Sequence, residues 1–266
     1  SNNNDAFQAQ CNLASSSVRQ KIFNEDDKQI ITKFLQTPSN NNDAFQAQCN
    51  LASSSVWSNR LNVADKKIIT DLLKNPSDDP KTLYVQCDLA QTAVANGILK
   101  AEEETDKEII TKFLQTPSIY IPGFKAQCDL AEAIKADDAI ILQNLFSPSD
   151  DENIRNTQYK VITKRLYVNP TFVKGAIKTF LKNPSDDKDV LKEQCNLAAD
   201  AVKENKLNVD DKEIITKFLQ TPSEDEHTFK AQCDLAKTAF ENQIIDADDA
   251  IFQKLFSPSD DENIRN

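Results

Sequence analysis

Apolar residues recur along this chain at the spacing of one helix face, in paired stretches separated by a short polar break. Phe7, Cys11, Ala14 and Val18 stand at i, i+4, i+7 and i+11, which places them on one side of an α-helix. A second apolar stretch, IITKFL at 30–35, follows the break and stops before a Thr-Pro pair. Proline blocks continuation of a helix and disfavours helical backbone in the preceding residue. The pattern predicts a helix of about four turns, a polar turn and a helix of about three turns.

The same layout returns after every Pro-Ser pair, so the chain is a tandem array. Self-similarity at periods of about 20 to 50 residues is typical of solenoids and propellers. Cutting at those pairs gives seven repeats of about 38 residues: 1–38, 39–76, 77–117, 118–148, 149–184, 185–222 and 223–258. The remainder, SDDENIRN at 259–266, matches the opening of the fifth repeat. We therefore expect the array to continue beyond residue 266.

Short polar side chains stand where the helices should begin. The serine after each cut, followed by amide or acidic residues, is expected to be the N-cap of the first helix. The second helices show an Asn cap, with an acid three residues later as in a capping box or with proline at the first helical position. These pairs are Asn62 with Asp65, Asn208 with Asp211, and Asn169 with Pro170.

Neither helix of a repeat can bury its apolar face alone, so neighbouring repeats must stack on one another. We expect an all-α fold of fourteen helices, a right-handed α-solenoid that forms one domain over residues 1–266; an irregular multi-helix bundle is the alternative. The third repeat has three extra residues near 100–107, which predict a longer turn between its helices. The fourth repeat is the shortest, which predicts a truncated first helix or an almost absent turn.

The chain is acidic, with a net charge of −11 and a pI near 4.7. Nucleic-acid binding needs clustered Lys and Arg, whereas the lysines here are interleaved with Asp and Glu. We therefore expect no nucleic-acid partner, and the acid excess favours solubility or a basic partner. No apolar run approaches the roughly 20 residues that span a bilayer, and no signal peptide is visible.

Six cysteines occupy one position of the repeat, directly after a glutamine that recurs in every repeat. Stacked equivalent helices are separated by an intervening helix, at roughly 8–10 Å per packing step, whereas a disulfide needs Cα atoms about 4.4–6.8 Å apart. Metal sites favour CxxC pairs or His partners, and His227 is the only histidine. We expect buried thiols beside Leu13 and Leu51, no metal and no cofactor, and a reducing compartment such as the cytoplasm, a host cytosol included.

The glutamine before the cysteine is more constant than the cysteine itself and is present even in the fifth repeat, where Tyr159 replaces the cysteine. It either bonds the backbone of a neighbouring turn or forms a row that reads a partner's backbone. Arg19 becomes Trp57 at the equivalent position of the next repeat, which suggests an interface residue or a cover for the helix end. The glutamines are Gln10, Gln48, Gln86, Gln127, Gln158, Gln194 and Gln232.

No catalytic pattern stands out, because the three glycines are scattered and paired carboxylates occur throughout. The layout is similar to helix–turn–helix repeat families in general, which implies protein or peptide binding; the Trp, Leu-Gly and Tyr signature of the tetratricopeptide type is missing. We expect a non-enzymatic scaffold for a protein or peptide, such as a host-directed effector. The alternatives are a spacer without a ligand and the targeting region of an enzyme that lies outside this sequence.

Overall fold

The structure is a computed structural model that describes residues 2–23, 27–134, 139–166 and 170–246, together with Leu255. Within these residues it contains thirteen α-helices and no β-strand, which confirms the all-α prediction. The helices are α1 (Asn2–Arg19), α2 (Lys28–Leu35), α3 (Asn42–Trp57), α4 (Lys66–Leu73), α5 (Pro80–Ala95), α6 (Glu104–Phe113), α7 (Ile121–Ala133), α8 (Ala139–Phe146), α9 (Glu152–Arg165), α10 (Pro170–Phe180), α11 (Lys188–Lys203), α12 (Lys212–Leu219) and α13 (Glu226–Glu241).

Each described repeat contributes a long first helix and a shorter second helix, in the order that the sequence predicts. The chain divides into two compact units, Ser1–Ala136 and Asp137–Asn266. The division falls inside the fourth repeat, whose first helix, α7, has 13 residues where α3 and α5 have 16. The predicted truncation of that helix is confirmed. Apart from Leu255, the second helix of the seventh repeat lies outside the described residues, as does the segment 259–266.

The start of the first helix differs from the prediction by two residues. The serine after the Pro-Ser cut is not the N-cap. In the second repeat the N-cap is Asn41, whose side chain accepts a hydrogen bond from the backbone N–H of Ala44. Ser39 stands before it, and its hydroxyl accepts a bond from the N–H of Asn41 at 3.2 Å. Aspartates at the same position cap the equivalent helices because their carboxylates also complement the helix dipole: Asp79, Asp151, Asp187 and Asp225.

The capping boxes predicted for the second helices are confirmed. Asn62 accepts from the N–H of Ala64, and its own N–H donates to Asp65 at 2.9 Å. Asn208 and Asp211 form the same reciprocal pair. In both repeats the box closes a turn of 3₁₀-helix that leads directly into the α-helix. Asn169 lies outside the described residues.

The extra residues of the third repeat lengthen the connection, and the first turn of α6, at 104–106, takes the place of the 3₁₀ turn that precedes α4. The N–H of Lys100 donates to Asp106, six residues later, where the second and sixth repeats use a spacing of three. Asp106 is therefore the counterpart of Asp65, displaced by the insertion. Its carboxylate is buried and forms an ion pair with Lys66 of the preceding repeat, at 2.7 Å.

The core of each unit lies between successive first helices, with the second helices packed beside them. In the first unit α1, α3, α5 and α7 pack in sequence, and α2 contacts α3 of the next repeat. The buried residues of α3 include Cys49 and Val56 of the predicted apolar stripe and extend beyond the stripe to Leu51. Leu13 is a correction to the expected core, because its side chain is 69% exposed whereas that of Leu51 is fully buried.

Candidate functional site

The constant glutamine joins two consecutive repeats. In the second repeat the side-chain amide of Gln48 donates to the carbonyl of Phe34 at 2.7 Å and to that of Thr37 at 2.9 Å. Its side-chain oxygen accepts from the backbone N–H of Ser39 at 2.8 Å. One side chain therefore satisfies two carbonyls at the end of α2 and an amide of the Pro-Ser turn, which have no partner within the helix.

This arrangement, which we call the glutamine clamp, recurs in six repeats. The partner positions are the same in five of them, whereas Gln158 bonds the carbonyl of Leu145, one position later than the equivalent of Phe34. Each of these glutamines is fully buried, so their amides are not accessible to a partner, and the contacts match the structural interpretation of the row. Gln10 differs, because it is exposed at the start of the first unit. The clamps are formed by Gln48, Gln86, Gln127, Gln158, Gln194 and Gln232.

The cysteines line the buried side of the first helices, as predicted for five of the six. All six lie in the described part of the chain, and none forms a disulfide bond. Burial raises the pKa of Cys11 to about 11 and that of Cys195 to about 12, and it also raises the pKa of Cys49. Because the thiolate is the nucleophile and the metal ligand, these protonated thiols are poorly suited to either role. Cys233 is partly exposed.

A second feature of the first unit is a cavity of about 360 Å³ on the outer surface of its first helices, built from three consecutive repeats. Trp57 forms one wall and is 68% exposed. Arg19 comes from the preceding helix, and its Nε donates to the Ser54 hydroxyl at 2.8 Å. Asp88 closes the cavity from α5. The structure thus brings together the two variable residues, Arg19 and Trp57, that the sequence singled out.

The electrostatics of this cavity centre on Asp88. Partial loss of solvation raises the pKa of its carboxyl, and the neighbouring carboxylate of Asp129 adds to the rise. The guanidinium of Arg19 opposes both effects. An indole face, a cation and a carboxylate therefore stand around one opening, which offers both an apolar surface and charged hydrogen-bonding groups.

The second unit carries a cavity of about 560 Å³ at the equivalent positions of α9, α11 and α13. Lys203 and Glu241 occupy the place of Trp57, and Asp234 occupies the place of Asp88. Tyr159 lies at one end, and burial raises the pKa of its hydroxyl to about 12, with Glu193 adding to the rise. The same surface of the repeat is therefore open in both units, while the side chains that line it differ.

Sequence reasoning missed the contribution of the residue that follows the cysteine. That position is always polar, and in α5 it supplies Asp88 to the cavity. A comparison of the repeats shows that this position is polar throughout, but whether the residue lines a cavity depends on which side of the helix is exposed. The residues at this position are Asn12, Asn50, Asp88, Asp129, Lys160, Asn196 and Asp234.

The fourth repeat adds an apolar patch at its Pro-Ser turn. Where the other repeats have Asn, Asp or Glu, it has Ile119 and Tyr120. Ile119 and Ile121 are exposed, and Tyr120 contacts Tyr84 edge to face with ring centroids 6.3 Å apart. A cavity of about 530 Å³ adjoins this patch and is lined in part by Ile119 and by Lys112 of α6.

The described residues contain no cluster of three His, Cys, Asp or Glu side chains close enough to hold a metal ion. His227 is exposed in the first turn of α13. No helix in the described part of the chain has the length and apolar character needed to cross a membrane. No family model, curated protein or solved structure matches the chain.

Proposed function

We propose that this chain is a non-enzymatic helical-repeat scaffold that binds a protein or peptide along the outer surface of its first helices. The observation that carries the proposal is the pair of cavities at equivalent repeat positions, about 360 Å³ in one unit and 560 Å³ in the other. Concave sites with an exposed aromatic side chain and a few polar groups are typical of binding surfaces.

The proposal is supported by the separation between constant, buried positions and variable positions that line the cavities. The constant residues, such as Gln48 and Cys49, are buried and hold neighbouring repeats together. The positions that change between repeats line the cavities, so the surface can vary while the packing stays the same. Trp57 is the strongest anchor candidate, because a Trp at the centre of an interface is often a binding hot spot.

The net charge of −11 favours a basic partner. The buried, protonated thiols suit a reducing compartment such as the cytoplasm.

We also propose that the seven repeats stack as a right-handed α-solenoid. Small-angle scattering tests this arrangement, since a compact bundle of this length has a radius of gyration of about 18 Å and a solenoid has a larger one.

The binding proposal is tested by comparing partners captured from cytosol by the whole chain, by Trp57→Ala and by Val63→Ala. Val63 is also an exposed apolar residue, but it precedes α4 and is absent from the cavity. A hot-spot loss of about 2 kcal/mol corresponds to a roughly thirty-fold weaker Kd for Trp57→Ala, with Val63→Ala unchanged. A set of partners that both variants retain equally would refute the proposed site.

A further inference from the structure

The first 18 residues of the chain, SNNNDAFQAQCNLASSSV, are repeated without change at 39–56. The two copies form α1 and α3 in the same unit, and each is followed by another repeat on the same side. Their burial nevertheless differs on one face. Leu51 is fully buried, whereas Leu13 is 69% exposed. Because the sequences are identical, the difference comes from the surroundings of the helix and not from its composition.

The face that differs is contiguous on the helix. Ala44, Gln48 and Leu51 stand at i, i+4 and i+7 and are all buried in α3, while the equivalent residues of α1 are exposed. In α3 this face meets the end of α2 and the turn that follows it, where Gln48 makes its three hydrogen bonds. In α3, therefore, this face is covered by the last turn of the preceding second helix and by the Pro-Ser turn.

We propose that the exposed face of α1 is a docking surface for one more helical repeat of the same type, presented through its second helix and its Thr-Pro-Ser turn. The docked helix would offer two carbonyls from its last turn to the amide of Gln10, and the turn would offer one backbone N–H. Leu13 would enter the apolar gap that Leu51 fills one repeat later.

The chemistry of the face excludes most other occupants. Ala6, Gln10 and Leu13 carry no charge, so the face offers no counter-charge to a nucleic acid, a metal ion or a charged peptide. A generic apolar partner would cover Leu13 but would leave the side-chain amide of Gln10 without hydrogen bonds, which is unfavourable once it is buried. A helix end followed by a Pro-Ser turn satisfies both residues.

The test adds a second copy of residues 1–38 ahead of Ser1 in the whole chain. The new junction, QTPSNNN, reproduces the natural junction at 36–42 residue for residue. In the extended chain we expect the backbone amides of α1 to exchange hydrogen about ten-fold more slowly or better. We also expect Leu13→Ala to lower the urea midpoint as much as Leu51→Ala does, whereas Leu13→Ala in the unextended chain leaves it unchanged.

A control extension carries Asp in place of its residues equivalent to Ile31 and Leu35, which are fully buried in α2. It should give no protection of α1. The proposal is overturned if the natural extension leaves both the exchange of α1 and the effect of Leu13→Ala unchanged, or if the extension is unfolded and digested by protease. It is also overturned if the unextended chain self-associates and Leu13→Asp abolishes that association, because the occupant is then a second copy.

Discussion

The glutamine clamp yields a sharp prediction because the chain contains its own control. Gln48→Ala and Gln10→Ala remove the same side chain from the same 18-residue sequence. Gln48 is fully buried and makes three hydrogen bonds, two to carbonyls of the preceding repeat and one to the N–H of Ser39 at the junction, whereas Gln10 is exposed. Any intrinsic effect of the substitution on the helix is therefore common to both variants, and their difference reports the clamp.

The expected magnitude follows from the groups left behind. Removal of Gln48 deprives the carbonyls of Phe34 and Thr37 and the N–H of Ser39 of their partners. Each backbone polar group left unpaired in a buried setting costs about 1–3 kcal/mol. The turn is partly open to water, which favours the low end, so we expect a loss of about 3 kcal/mol for Gln48→Ala. Gln10→Ala should change the free energy of unfolding by less than about 0.5 kcal/mol.

Urea unfolding followed by circular dichroism measures both variants against the parent chain. With a slope of about 1–3 kcal/mol/M, the clamp variant should lose about 1 M or more in its midpoint. Hydrogen exchange locates the effect, which should be strongest at the end of α2 and in the turn at 36–41. Equal midpoints for Gln48→Ala and Gln10→Ala would show that the clamp does not hold the repeats together.

Three further predictions follow from single positions. Cys233 is the partly exposed thiol, and we expect it to react with a thiol reagent at pH 8 well before the five buried cysteines, which should react only on unfolding; uniform kinetics would contradict this. Hydrogen bonds from the backbone N–H and then the hydroxyl of Thr228 lower the pKa of Asp225 to about 2. The ionised Asp225 therefore stabilises the fold above about pH 4, and this stabilisation is lost as the pH falls towards 2. Asp225→Asn should flatten this part of the pH–stability curve, and an unchanged slope would argue against it. Lys21 has a φ of 58° after α1, where the third repeat has Gly97 at 68°; Lys21→Gly should therefore stabilise the chain by about 1 kcal/mol and Gly97→Ala should destabilise it by a similar amount, both measured by urea unfolding.

The helix pairs and the second-helix caps could be predicted from the sequence because their signals are local. Asn62 and Asp65 are three residues apart, and the box that they form needs no other part of the chain. The first-helix cap was misplaced because two nearby residues carry the same local signal. Both Ser39 and Asn41 are good caps by composition, and the choice between them depends on where the clamp from Gln48 fixes the preceding N–H.

The candidate site could be predicted only in part. Repetition within the chain identified the glutamine row and the change from Arg19 to Trp57. It did not show that the row faces inward, because a long amide at a helical position is compatible with either side. Nor did it place Asp88 beside Trp57, since these residues come from different repeats and meet only once α3 and α5 pack together.

The geometry of the repeat also keeps the residues that hold neighbouring repeats together apart from those that line the cavities. The clamp bonds backbone groups of the neighbouring repeat, so it does not depend on which side chains that neighbour carries. The cavity positions point away from the clamp, and they change from Trp57 in one unit to Lys203 in the other while Gln48 and Gln194 keep the same partners. Substitutions at the cavity should therefore alter binding with stability changes of less than about 0.5 kcal/mol. Substitutions at the clamp should alter stability, and through it every binding surface of the same unit.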